Sequence, residues 1–181
     1  AMLGESIARL NADGTKPVVL AVTATASDEV ANRITETLYI NNRILDASIR
    51  DNLVIVDKRD IENPERYLID LASRKEKMVV YVNSRQESVK LARLLRTHVP
   101  TLAWKVAFYN AGLSKAARQE IERRFRDSDI LITISTSAFG EGVNIPDIRH
   151  VVLYHHPFND VEFNQMSGRG GRDGARTHIH L

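Results

Sequence analysis

Short apolar runs, bounded by polar or turn-forming residues, alternate along the chain with stretches in which apolar positions recur every three or four residues. The first pattern reads as strands buried on both faces, the second as helices that cover them. Runs at 17–23 (PVVLAVT), 53–56, 78–82, 104–108, 130–134 and 151–154 predict strands, and 176–181 enters another. Ser27 is placed to cap a helix reaching Leu38, and Pro64 suits the first position of a helix over 63–73. Val89, Leu91, Ala92, Leu94 and Leu95 mark a helix over 85–97, Ser114 caps another through Phe125, and a last helix begins near Asp160. Strands separated by helices imply right-handed parallel crossovers. The predicted class is α/β, a mainly parallel sheet with helices on both faces. Such sheets bind ligands beyond the carboxyl ends of their strands. The loops at 83–85, 110–112 and 136–144 fall at those ends.

A length of 181 residues suits one α/β domain and is short for two. Residues 1–26 do not read as the start of this sheet, because the run at 17–23 is followed by a helix and a polar connector at 47–52. We therefore expect 1–26 to be the tail of a preceding domain, 27–52 a linker with its helix, and 53–181 the main domain. Ala1 before Met2, and a strand pattern that stops at Leu181, read as cuts in a longer protein. Apolar residues make up 43% and charged residues 27%, with no run long enough to span a membrane and no signal-peptide pattern. Cysteine is absent, which removes disulfides and thiolate zinc sites and fits a reducing compartment. The net charge is only +2, yet 18 of the 25 basic residues are arginine, whose planar fork suits phosphate.

The richest segment is QMSGRGGRDG at 165–174. Gln165, Arg169 and Arg172 stand at i, i+4 and i+7, one stripe if the segment is helical. Glycines at 168, 170 and 171 are costly in a helix and call for close approach by another backbone or a phosphate. Two arginines there can meet charge that develops on a transferring phosphoryl group, although an arginine–glycine surface turn would read the same. The segment TSAFGEGVNIPD at 136–147 follows a buried strand and offers small hydroxyls and backbone N–H groups, as a phosphate-binding concavity or an ordinary loop would. YVNSR at 81–85 ends a strand and opens a helix, where the helix N-terminus and Arg85 suit a phosphate or Ser84 simply caps. Two further features read as ordinary. His155 and His156 would point to opposite faces of a strand, which disfavours a shared metal, and Trp104 reads as core or edge packing.

Together these segments resemble the RecQ branch of superfamily two helicases. TAT at 23–25 looks like motif III, YVNSR like motif IV, and YNAGL at 109–113 like the histidine–alanine–glycine stretch with Asn110 in place of histidine. TSAFGEGVNIPD looks like motif V, and QMSGRGGRDG like motif VI. The resemblance covers residues 20–174 and implies a RecA-like domain of P-loop NTPase type, the second of two in a helicase motor. It implies that Arg172 and Arg169 reach the γ-phosphate of ATP, that Gln165 supports them, and that Gly142 and Asn144 lie near the nucleotide. It also implies that Ser84, Arg85, Gly112 and Thr136 lie along single-stranded or forked DNA, and that Thr23 and Thr25 couple the two domains. ATP and magnesium would be held mainly by the first RecA-like domain of the same parent protein. No metal site and no membrane partner are implied, and the location would be cytoplasmic and nucleoid-associated, as in bacteria. The chain holds no G-x-x-x-x-G-K-[ST] loop and no Asp-Glu-x-His box, so the fragment on its own is expected to be inactive. The rival readings are a catalytically silent docking module and half of an RNA helicase.

Overall fold

The computed structural model describes residues 2–14, 18–23, 27–45, 50–136, 139, 144–155, 157 and 159–181. The chain divides into two compact units, 1–49 and 50–181.

The first unit contains two helices, α1 (Met2–Ala12) and α2 (Asp28–Leu38). Ser27 caps α2 by accepting from the Val30 N–H, and Arg43 pairs with Asp28 at 3.0 Å. The strand expected at 17–23 is absent from residues 18–23, which are irregular, with Val18, Leu20 and Val22 at 98%, 84% and 83% exposure. A strand is held by its ladder, and among the described residues this unit contains no strand to pair with it. Pro17 lies outside the described residues. Helix α1 carried no signal that our reading used.

The second unit runs β1 (Leu53–Val56), α3 (Pro64–Ala72), β2 (Met78–Tyr81), α4 (Arg85–His98), a 3-10 turn (Pro100–Lys105), β3 (Val106–Tyr109), α5 (Lys115–Arg126), β4 (Ile132–Ser135), β5 (His150–Leu153), α6 (Asp160–Ser167) and β6 (Thr177–His180). The strands form one parallel sheet in the order β1-β6-β5-β2-β4-β3. Alternate residues serve opposite faces, as the pleat requires. Met78, Val80, Ile132, Ile134 and Val152 pack with Leu68 and Leu71 of α3 and Leu91 and Leu95 of α4. Val79, Tyr81, Val151, Leu153 and Ile179 pack on the other face with Phe125 of α5, Met166 of α6 and Phe139. The central strands are buried on both sides, which is why they read as unbroken apolar runs.

The strand expected at 104–108 begins later. Pro100 starts a 3-10 turn that carries Trp104 outward to 63% exposure, with the Lys105 ammonium 4.7 Å from its ring centroid, so Trp104 is not core but stands at the β3 edge of the sheet.

A buried histidine chain crosses one face of the sheet. His150 Nε2 lies 2.9 Å from Glu76 Oε2, His150 Nδ1 lies 2.9 Å from His180 Nε2, and His180 Nδ1 lies 2.8 Å from the Tyr67 hydroxyl. A carboxylate can only accept, which sets the direction of the whole chain. Tyr67 donates to His180, His180 donates to His150, and His150 donates to Glu76, with both rings neutral. Burial pushes His180 down to about 3, helped by His150, His178, Arg74 and Lys58, and burial lowers His150 against the pull of Glu76. Below the free histidine value the unfolded chain therefore binds more protons than the folded one, so stability is full above that value and falls as pH drops. We expect a loss of roughly 2 kcal/mol from His180 alone between about pH 6.5 and pH 5. Urea unfolding of the chain across that range checks it, and a midpoint that does not move, or that moves equally in His180→Gln, would contradict it.

Candidate functional site

The expected site residues separate into two groups. The first lies at the carboxyl ends of β2, β3 and β4. Ser84, in extended conformation, caps α4 by accepting from the Glu87 N–H at 3.1 Å, and so sets Arg85 in the first turn, exposed. After β3, buried Asn110 donates to the Ser88 hydroxyl at 3.0 Å and accepts from the Gly112 N–H at 2.9 Å. A side chain at Gly112 would meet Asn110 Oδ1 at 3.0 Å and the Arg85 guanidinium at 3.6 Å, so glycine keeps this surface low beside the cation. After β4, the Thr136 N–H donates to the Tyr109 carbonyl at 3.3 Å, which brings the third loop to the same end. Asn110 thus ties the loop after β3 to helix α4, in the place where our reading noted only a departure from histidine.

The second group is built around the turn that follows α6. Our reading placed Gln165, Arg169 and Arg172 on one helical stripe, and the structure differs. Helix α6 ends at Ser167 with Gly168 as its cap, Gly171 takes φ +53°, and Gly174 takes φ +82°. Gln165 is exposed on the helix, while Arg169 and Arg172 belong to the turn. The turn is fastened to the segment entering β5. The Gly171 N–H donates to the Ile148 carbonyl at 3.0 Å and the Asp173 N–H to the Pro146 carbonyl at 3.2 Å, and Arg149 grips the Asp173 carboxylate with both Nη atoms. The Arg149 guanidinium holds that carboxyl down to about 2, so the clamp survives all but strongly acidic solution.

Within this frame Arg172 reaches Asn144 Oδ1 at 3.3 Å and the Gly168 carbonyl at 3.3 Å. The Tyr81 hydroxyl lies buried beneath, with no hydrogen bond of good geometry but under the influence of both arginines. Burial pushes the phenol up to about 12 against the opposing charges of Arg169 and Arg172. Partial burial, then repulsion from Arg169 and Arg50, lowers the Arg172 guanidinium. Two guanidiniums at one turn, Arg169 and Arg172, with the charge of Arg50 beside them, suit an anion of several oxygens. No cluster suited to a metal ion occurs among the described residues.

The glycines have a nearer explanation than a phosphate. A Cβ at Gly170 would lie 2.5 Å from Thr177 Cγ2, and one at Gly171 would lie 2.5 Å from Asn52 Nδ2 and Thr177 Oγ1 and 2.7 Å from the Ala175 carbonyl oxygen. The protein's own atoms fill those places. Arg50 and Asn52, which our reading passed over, supply the contacts described below. His155 Nδ1 lies 3.4 Å from the Tyr81 carbonyl. Thr23 is described but lies in the other unit, and Thr25, Gly142 and His156 fall outside the described residues.

The comparisons with known proteins agree on this architecture. A family model described as helicase conserved C-terminal domain matches residues 63–174. The chain is similar to ATP-dependent DNA helicase RecQ of Bacillus subtilis, 33% identical over 171 residues, which are 92% of this chain and 28% of that protein. It is also similar to protein R290 of Acanthamoeba polyphaga mimivirus, which carries an ATP-dependent RNA helicase name, 31% identical over 166 residues, 90% of this chain and 30% of that one. Among solved structures, Saccharomyces cerevisiae Dbp5 bound to RNA and ADP BeF3 matches with a TM-score of 0.74 over 98% of this chain and 48% of that one, at 18% identity, a likeness of fold. The chain belongs to the helicase conserved C-terminal domain family, with a RecA-like fold and RecQ-type DNA helicases among its relatives.

Proposed function

We propose that this chain is the second motor domain of an ATP-dependent DNA helicase, supplying arginines to ATP bound by the first RecA-like domain of the same parent protein. Residues 1–26, with Thr23 and Thr25, would be the tail of that first domain, 27–52 the connector, and 53–181 the second domain. The observation that carries the reading is the turn after α6, where Arg169 and Arg172 stand together beside Asn144 in a frame fastened to β5. Names of the RecQ-type relatives favour DNA as the track.

ATP with its magnesium would supply the phosphoanhydride bond whose cleavage drives the cycle. Arg172 presents a planar fork that can hold two phosphate oxygens and so meet charge that grows as the bond breaks. Arg169 adds a second charge beside the buried Tyr81 ring, while Gln165 and Gly142 would line the same approach. Replacing Arg172 in the parent protein tests the reading, and turnover unchanged by Arg172→Lys would remove it.

The loops after β2, β3 and β4 would take the DNA backbone. Arg85 would donate there, with exposed Ser84 and Gly112 and half-buried Thr136 offering hydroxyl and backbone groups at the same end of the sheet. The expected result is weak binding of single-stranded DNA by the chain, falling with salt as counterions return to the strand. Arg85→Ala should weaken it further and reduce the salt slope by about one. Fluorescence titration at several salt concentrations measures both, and salt-independent binding would exclude a backbone-led mode. Tighter binding of single-stranded RNA than of DNA would favour the RNA-helicase rival.

A further inference from the structure

Arg50 is the first residue of the second unit and lies three positions before the start of β1. Its guanidinium reaches across 118 to 121 positions of sequence to the turn after α6. Nη1 donates to the Gly168 carbonyl at 3.1 Å, and Nη2 donates to the carbonyls of Gly170 and Gly171, each at 2.7 Å. The Gly168 carbonyl belongs to the cap of α6 and those of Gly170 and Gly171 to the turn beyond it, so a fixed positive charge satisfies carbonyls of the turn beside the negative end of the helix dipole. Asn52 continues the strap, donating to Gly171 O at 2.8 Å and Ala175 O at 2.9 Å. Its own carbonyl accepts from the Thr177 N–H at 2.8 Å, where the β1–β6 ladder begins.

The strap and the absence of side chains in the turn explain each other. The carbonyls of 168, 170 and 171 converge on one cation only because the backbone there folds tightly, and a Cβ at Gly171 would occupy the place of Asn52 Nδ2. Arg169 lies between two strapped carbonyls, and Arg172 directly follows the third.

We propose that Arg50, seconded by Asn52, is a positioning residue that sets the geometry of Arg169 and Arg172 from the point where the chain enters this unit. The proposal rests on the reading of Arg172 as the arginine presented to phosphate. Lysine cannot stand in, since a single ammonium does not reproduce a fork spread over three carbonyls.

The test has two arms. In this chain, Arg50→Lys should raise amide exchange at Gly171 and Asp173 at least tenfold while β2 (Met78–Tyr81) stays protected. Unchanged exchange in the turn, or loss of protection throughout β2, would overturn the proposal, the latter because Arg50 would then hold the fold rather than the turn. In the parent protein, Arg50→Ala, Arg50→Lys and Asn52→Ala should each lower kcat, up to about 100-fold for Arg50, with KM for ATP moving by less than about threefold, as misplacement of a catalytic group by about 1 Å does. In an Arg172→Ala background, Arg50→Ala should cost far less than it does alone, the remainder reflecting misplacement of Arg169. Additive losses, or rescue by Arg50→Lys, would overturn the proposal alone. Turnover that survives Arg172→Ala itself would overturn the functional reading and this proposal together.

Discussion

In the parent helicase proposed above, Arg172→Lys is expected to cut DNA-stimulated ATP hydrolysis by roughly 10³-fold or more, while nucleotide affinity stays near its original value. Arg172 meets Asn144 and the Gly168 carbonyl at 3.3 Å each, contacts long enough to give way to a better acceptor. Its charge is pressed by those of Arg169 and Arg50, and an arriving anion relieves that repulsion. Ground-state affinity would come chiefly from the first domain, so the loss belongs to the transition state and corresponds to about 4 kcal/mol for each 10³-fold. Lysine keeps the charge without the fork and should not restore turnover. Steady-state hydrolysis at saturating DNA, beside equilibrium titration with nucleotide, separates the two quantities. Affinity falling as far as turnover would mean that Arg172 binds ATP without serving its cleavage.

The second large effect is on stability. Gly171→Ala should destabilise the chain by about 2–5 kcal/mol, because a left-handed backbone costs an alanine about 1–2 kcal/mol and forced overpacking about 1–3 more. The Asn52 and Thr177 side chains can shift, but the Ala175 carbonyl at 2.7 Å is backbone and has little room. Gly174→Ala is the internal control. Its φ of +82° imposes the same kind of backbone cost, yet a Cβ there meets nothing within 4 Å, so it should lose only the first part. Urea unfolding of the two variants compares them directly, and equal losses would show that the crowding at Gly171 relaxes without cost.

The order of these effects shows what a sequence can and cannot display. Local signals were legible where one segment decides its own structure. Ser27, Asn63, Ser84 and Ser114 each accept from the N–H three residues on, so helix starts could be placed from single residues and their neighbours. The doubly buried strands showed as apolar runs for the same local reason. The motif VI stripe failed because helical spacing was extended through glycines that end the helix at Ser167. Trp104 was misplaced because Pro100 favours a tight turn ahead of β3. The run at 17–23 carries strand composition, but composition cannot provide a neighbouring strand. Arg50 and the Glu76–His150–His180–Tyr67 chain escaped notice because their meaning arises only when residues 30 to 121 positions apart are brought together. A lone arginine before a strand and two histidines 30 positions apart have no local mark.

The most direct test of the central claim, that this chain holds only the arginine-bearing half of a split ATP site, is hydrolysis by the purified chain itself. With saturating single-stranded DNA, ATP and magnesium, the rate should not rise above the protein-free background, since the sequence contains no G-x-x-x-x-G-K-[ST] motif to cradle the β-phosphate. Robust turnover by the pure chain, abolished by Arg172→Ala, would contradict the account.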